Sequence, residues 1–262
     1  STLADDAAIR AAAQQLKAQG ADYGLVTLKD ADGSIHYASQ VAAASGSVAG
    51  TAVDPARIAA IFREEGIIPA AQLAAFTDPV SGYTDRSMAV HYSGTQLWLD
   101  NVSAKAGGKS WLDPSAASAV QYVGDLIEEL HGMGFEQVVL TGVQFPNIIT
   151  RKQEFAAAGG KSQEGRAALL AADISTWQAR FDGSVVLWLS YPAQQCTDAS
   201  GCEPWNAQPD RHGGYAGRGG TRTAAAVCRR SRCAERCDLQ YRELPVKRTW
   251  IALVIVKGRD LL

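Results

Sequence analysis

Apolar positions along the chain fall into two repeating patterns. In the first, Ile9, Ala12, Ala13 and Leu16 recur at helical spacing behind Thr2 and Asp5, an N-terminal capping signature, and Gly20 follows. Ile58, Ile61 and Phe62 do the same after Asp54-Pro55, an N-cap with proline at the first helical position, and Gly66 closes that segment. Asp113-Pro114 repeats this start ahead of Val120, Val123, Ile127 and Leu130, ending near Gly132 and Gly134. A fourth helix is predicted over 163–180, with Leu170, Ile174, Trp177 and Phe181 as its stripe. His131, at the end of the third helix, is explained by the helix dipole.

The second pattern is a short, nearly continuous apolar run after each helix, at 23–28, 67–76, 137–145 and 184–191. Runs of this kind suit strands buried on both faces of a parallel sheet. Helix followed by strand, four times over, predicts right-handed βα units and an α/β fold. Residues 88–92 and 96–99 flank Ser93-Gly94 and read as a hairpin inserted in a loop.

Composition changes this picture in one place. Overall it is ordinary: 262 residues, 47% hydrophobic, 20% charged and a net charge of −2. This gives no global attraction to nucleic acid. No apolar run reaches the roughly 20 residues of a membrane span, and no signal-peptide pattern opens the chain. All five cysteines, however, lie at or beyond Cys196, in a stretch rich in Gly and Arg that extends to about residue 248. Three readings stand for it: a surface excursion, a disulfide or metal knot, or a sequence that is not the native continuation. The spacings of Cys228, Cys233 and Cys237 do not match zinc pairs, and the four histidines lack ligand spacing, so neither metal nor cofactor is expected. The division is therefore 1–195 as core, 196–248 as irregular segment, and 249–262 as a last strand (near 250–256) with a tail.

The segment Trp111-Leu112-Asp113-Pro114 through Gly134-Phe135-Glu136 to Thr141-Gly142-Val143-Gln144-Phe145-Pro146 resembles the core of a bacterial family of (β/α)-barrels. That family is described as putative glycoside hydrolase and was formerly a domain of unknown function (DUF4015-like). Lys29-Asp30 with the following turn and Tyr37-Ala38-Ser39, and Phe76-Thr77-Asp78-Pro79, are similar to two more of its strand ends. The resemblance implies a TIM-type barrel, here incomplete or open: a helix precedes the first visible strand, and five parallel-strand candidates appear where a closed barrel has eight. It also implies a carbohydrate partner and favours an extracellular or cell-envelope setting; the oligomeric state is left open.

Barrel sites gather at the C-terminal strand ends. Asp30 and Asp78 are the acids there and so the catalytic candidates. Lys29, Gln72, Trp98, Trp111, Thr141, Gln144 and Tyr191 are the candidates for substrate binding, the tryptophans as stacking platforms, as Tyr83 could also be. Hydrolysis of a glycoside needs a carboxyl pair. In the resemblance the acid lies five positions before the proline of Phe-Pro, and that position here is Thr141. Gln144 stands where arginine is common. The expectation is a glycoside-hydrolase-like protein acting on or binding polysaccharide with a degenerate strand end. A non-catalytic carbohydrate-binding barrel or an inactive fragment are its alternatives.

Overall fold

The structure, a computed structural model, describes residues 3, 5–41, 44, 46–147, 149, 151–190 and 253–254. The cysteine-rich segment and Tyr191 lie outside them.

Helix α1 (Asp6–Ala18) is capped by Asp5, whose carboxylate accepts from Ala8 N at 2.8 Å. Helix α2 (Pro55–Glu64) starts as expected, Asp54 accepting from Arg57 N at 3.0 Å, and stops where Gly66 takes φ +74°. The two pack side by side, with Arg10 reaching Glu64 and Glu65 and Arg57 reaching Asp6 across their solvent side.

Strands β1 (Tyr23–Lys29), β4 (Ile68–Ala74), β7 (Gln137–Thr141) and β9 (Val186–Ser190) form one parallel sheet in that order. Beyond β1 lie two strands that the apolar pattern did not predict. They are β2 (Ile35–Tyr37), antiparallel to the end of β1, and β3 (Val48–Val53), parallel to β2. Within the stretch expected to form a last strand, the two described residues are β10 (Leu253–Val254), parallel to β1 with Leu25 opposite Leu253 and Val26 opposite Val254. The predicted hairpin also forms, as β5 (His91–Tyr92) and β6 (Gln96–Leu97). β8 (Gln153–Glu154) joins it as a third strand. The fold is thus a TIM-type barrel left open, since the path among the described residues ends at β9 without returning to β1. Among those residues no helix is long and apolar enough to cross a membrane.

One face of the sheet carries the core. Val26 and Leu28, Ala71 and Leu73, and Val138 and Leu140 are all buried against α2, α4 (Ala117–Gly132) and α5 (Gln163–Phe181). Gly24 shares this face because Phe62 occupies the space of a side chain: a Cβ would lie 2.3 Å from the ring. Alternation sends the intervening residues to the concave face. In register they form layers: Leu25, Ala70, Gln137 and Val186; then Thr27, Gln72, Val139 and Trp188; then Ala74, Thr141 and Ser190. The sheet curls enough for Tyr23 on β1 to meet Trp188 on β9 edge-on, with centroids 6.4 Å apart. Flat strands at that separation would stand about 14 Å apart.

Two helix expectations are corrected. Asp113 does not cap α4, which begins at Ala117 behind Ala116 with no side-chain cap. Its carboxylate instead accepts from Ser115 N, Ser115 Oγ and Ala156 N, tying the loop ahead of α4 to the one ahead of α5. In α5 the buried stripe is Leu170, Asp173, Trp177 and Phe181, so Asp173 takes the place expected of Ile174.

Candidate functional site at the strand ends

The two strand-end acids have different surroundings. Asp78, beyond β4, is fully buried. Its Oδ1 accepts from Val80 N and Ser81 N, both at 2.9 Å, and so shapes its own turn. Its Oδ2 lies 2.9 Å from Lys29 Nζ, an ion pair rather than a well-directed hydrogen bond. Burial alone would raise this carboxyl; the Lys29 charge and the Ser81 hydrogen bonds outweigh it and hold the pKa below the ordinary range. Ser81 Oγ continues the network to Tyr122 OH at 2.9 Å and Ser47 Oγ at 3.0 Å.

Lys29 is equally buried, donating to Ala74 O at 2.7 Å with Nζ 5.9 Å from the Tyr122 ring centroid. Strand parity would put it on the concave face with Thr27. A bulge prevents this: Thr27 pairs with Gln72 but Lys29 pairs with Leu73, so one extra residue turns Lys29 to the helix side. Neither Lys29 as a substrate ligand nor Asp78 as a catalyst has access to solvent, which corrects both expectations.

Asp30 keeps partial exposure. Oδ1 accepts from Asp32 N at 2.9 Å and Ser34 N at 3.2 Å, and Oδ2 lies 3.1 Å from His36 Nε2. Burial pushes its pKa up, but His36 and the two amides together bring it below the usual carboxylate value. Asp30 therefore organises the β1–β2 turn while presenting a carboxylate edge.

The tryptophans are also corrected as platforms. Trp98 and Trp111 are 7% and 8% exposed, packed with Val90 in a small satellite core, and Trp111 Nε1 donates to Asp100 at 3.1 Å. Tyr83, by contrast, is exposed on the short helix α3 (Ser81–Thr84). Gln144 stands half-buried beyond β7, donating to Asn147 Oδ1 at 2.8 Å. Gln72 and Thr141 are half-buried on the concave face, with Thr141 Oγ1 3.4 Å from Leu73 O.

Ser190, a strand-end position also expected from the sequence, lies beside Thr141. Two concave-face residues were not chosen from the sequence: Thr27, beside Gln72, and Trp188, whose Nε1 donates to Gln137 Oε1 at 2.8 Å. The signal was available, because Thr141 and Gln137 share parity with Val139, and Ser190 with Trp188. Among the described residues these layers contain hydroxyls, amides, apolar groups and aromatics, and no Asp or Glu.

An open (β/α)-barrel with polar groups at its C-terminal strand ends has its candidate site where barrels of this type carry theirs. The sequence matches the putative glycosyl hydrolase domain family (DUF4015) over residues 2–184, and the chain belongs to that family. No curated protein matches it. Among solved structures, a hypothetical protein from Ruminiclostridium thermocellum ATCC 27405 is similar at 22% identity and TM-score 0.60, over 72% of this chain and 93% of that one. The cycloalternan-forming enzyme from Listeria monocytogenes is similar at 12% identity and TM-score 0.50, over 71% of this chain and 20% of the enzyme. An α-galactosidase from Thermus thermophilus gives 13% and 0.46, over 72% and 35%. The chain thus spans about a third or less of the two enzymes but nearly all of the Ruminiclostridium protein. At these identities the likeness is one of fold.

Proposed function

We propose that this chain binds carbohydrate at its strand-end mouth without hydrolysing it. One observation carries the reading: at the end of β7 the concave face presents Thr141, flanked in register by Ala74 and Ser190, with no carboxylate in any layer described. Hydrolysis requires one carboxyl to protonate the leaving oxygen and a second to attack or to activate water. Asp78 is enclosed, and Asp30 is a single acid already engaged by its turn and by His36. A threonine cannot offset the positive charge that develops at the sugar ring. Binding needs less. Gln72, Thr141 and Ser190 supply donors and acceptors for sugar hydroxyls, and Trp188 supplies an aromatic surface on the same face.

Two assays test this: turnover of a panel of activated aryl glycosides, and titration with oligosaccharides followed by calorimetry. The expected result is no turnover above the blank, with saturable binding of an oligosaccharide that weakens about tenfold in Trp188→Ala. Turnover by the unaltered chain that disappears in Asp30→Asn would sink the proposal and make Asp30 catalytic. Turnover gained in Thr141→Asp would fix the lost carboxylate at that strand end.

A further inference from the structure

The outer layer holds a second feature, on the opposite side of the sheet from the mouth. A groove of about 390 Å³ runs between the first half of α4 and the latter part of α5. Pro114, Val120, Leu169 and Trp177 give it apolar walls, and Trp177 is fixed there by donating Nε1 to Val120 O at 2.9 Å. Asp173 also lines it. This residue is 7% exposed, and its Oδ2 is buried with no hydrogen-bond partner. A buried carboxylate is ordinarily paired, because removing its charge from water is costly.

Among the described residues, the two arginines on its helix face are engaged elsewhere. Arg180, at the far end of the groove, is held by Asp125 at 2.7 Å and by Glu128. Arg166 lies on the same helix face, about 10 Å along the axis, and donates to Gly160 O at 3.4 Å. Asp113, the neighbouring acid, has its own three donors and adds negative charge. The site is thus an apolar-walled groove of ligand-binding size with one unmet anionic acceptor.

We propose that the groove between α4 and α5 binds a small organic cation, an ammonium or guanidinium group on an apolar body, with Asp173 as its counter-ion. The cationic head replaces the missing partner of Asp173, and the apolar body lies along Leu169, Val120 and Trp177. Without a ligand, burial and the Asp113 charge push the Asp173 carboxyl up to about 7. Cation binding therefore expels a proton near neutral pH. Affinity should rise about tenfold per pH unit below that value and level off above it.

The experiment titrates the full chain with 2-phenylethylammonium, and with 2-phenylethanol as its neutral counterpart, by calorimetry and thermal shift between pH 5 and 9. Expected are one saturable site for the ammonium, that pH slope, and at least about tenfold weaker binding of the alcohol. Asp173→Asn keeps the side-chain shape and should abolish both the affinity and the slope. Equal binding of the alcohol, undiminished affinity in Asp173→Asn, or no saturation by the ammonium overturns the proposal. The alcohol comparison uses the unaltered chain, so it holds whatever the substitution does to folding. The readout is also independent of sugar binding at the mouth.

Discussion

Replacing Lys29 by methionine keeps most of its length and removes its charge. In the structure Nζ sits between Ala74 O at 2.7 Å and Asp78 Oδ2 at 2.9 Å, and both side chains are 0% exposed. After the substitution Oδ1 keeps its two backbone donors, but Oδ2 loses the opposing charge beside it. Leaving one member of a buried ion pair uncompensated costs about 3–5 kcal/mol. The sign of the pH dependence separates this from a simple packing loss. With Lys29 present, the depressed Asp78 pKa stabilises the fold above the ordinary carboxylate pKa, and that stability is lost as pH falls through the folded value. In Lys29→Met, burial acts on Asp78 against the hydrogen bonds of its own turn alone, so its pKa rises and protonation at mildly acid pH relieves the penalty. Urea unfolding at pH 7 and pH 5 should show a deficit that shrinks at the lower pH. The double variant Lys29→Met/Asp78→Asn, which retains an oxygen for the amides of Val80 and Ser81, should recover about half of the loss. A deficit below about 1 kcal/mol at pH 7, or a double variant no better than the sum of the single ones, would refute the view that this pair pins the β4 loop from within.

Two further outcomes concern stability. Because the folded-state pKa of Asp173 is raised to about 7, the ligand-free protein binds an extra proton relative to the unfolded chain and should lose stability as pH climbs from about 4 to about 7. Denaturant midpoints measured across that range should be markedly flatter in Asp173→Asn, and an unchanged slope would exclude Asp173 as the group responsible. Trp111→Ala removes a ring from the satellite core with Val90 and Trp98 and should cost about 3 kcal/mol or more, read as a lowered urea midpoint; a variant as stable as the parent would return Trp111 to the surface role first expected of it.

The parts of the fold that could be read in advance are those set by local periodicity. Ile58, Ile61 and Phe62 mark a helix whichever strand they pack on, and the continuous run from Ile67 fits a strand buried on two faces, as in a parallel sheet. What escaped depends on contacts distant in sequence. The bulge after Thr27 leaves no trace in residue type, yet it decides whether Lys29 enters the mouth. Asp113-Pro114 has the same local chemistry as Asp54-Pro55, but the amide of Ala156, over 40 residues away, captures its carboxylate and the helix starts later. Trp98 and Trp111 stand among the substrate-binding candidates in the sequence, and what makes them core is Val90 together with Phe155, over 40 residues further along the chain. Thr141 was legible only through the family resemblance, which puts an acid five positions before the proline of Phe-Pro; the apolar run itself continues past the end of the strand.

The edge of β1 is shared unequally by two neighbours. Its lower half pairs with β10 at Leu25 and Val26, and its end pairs with β2 at Lys29. A closing strand can therefore zip to β1 only from the base, because the β2 flap already occupies the upper hydrogen-bonding positions. Across the open side, Tyr23 and Trp188 meet edge-on near the base of β1. In a vessel built this way the floor is held by paired backbone, while the lip beside β1 belongs to a separate flap whose sequence can change without unpicking the floor.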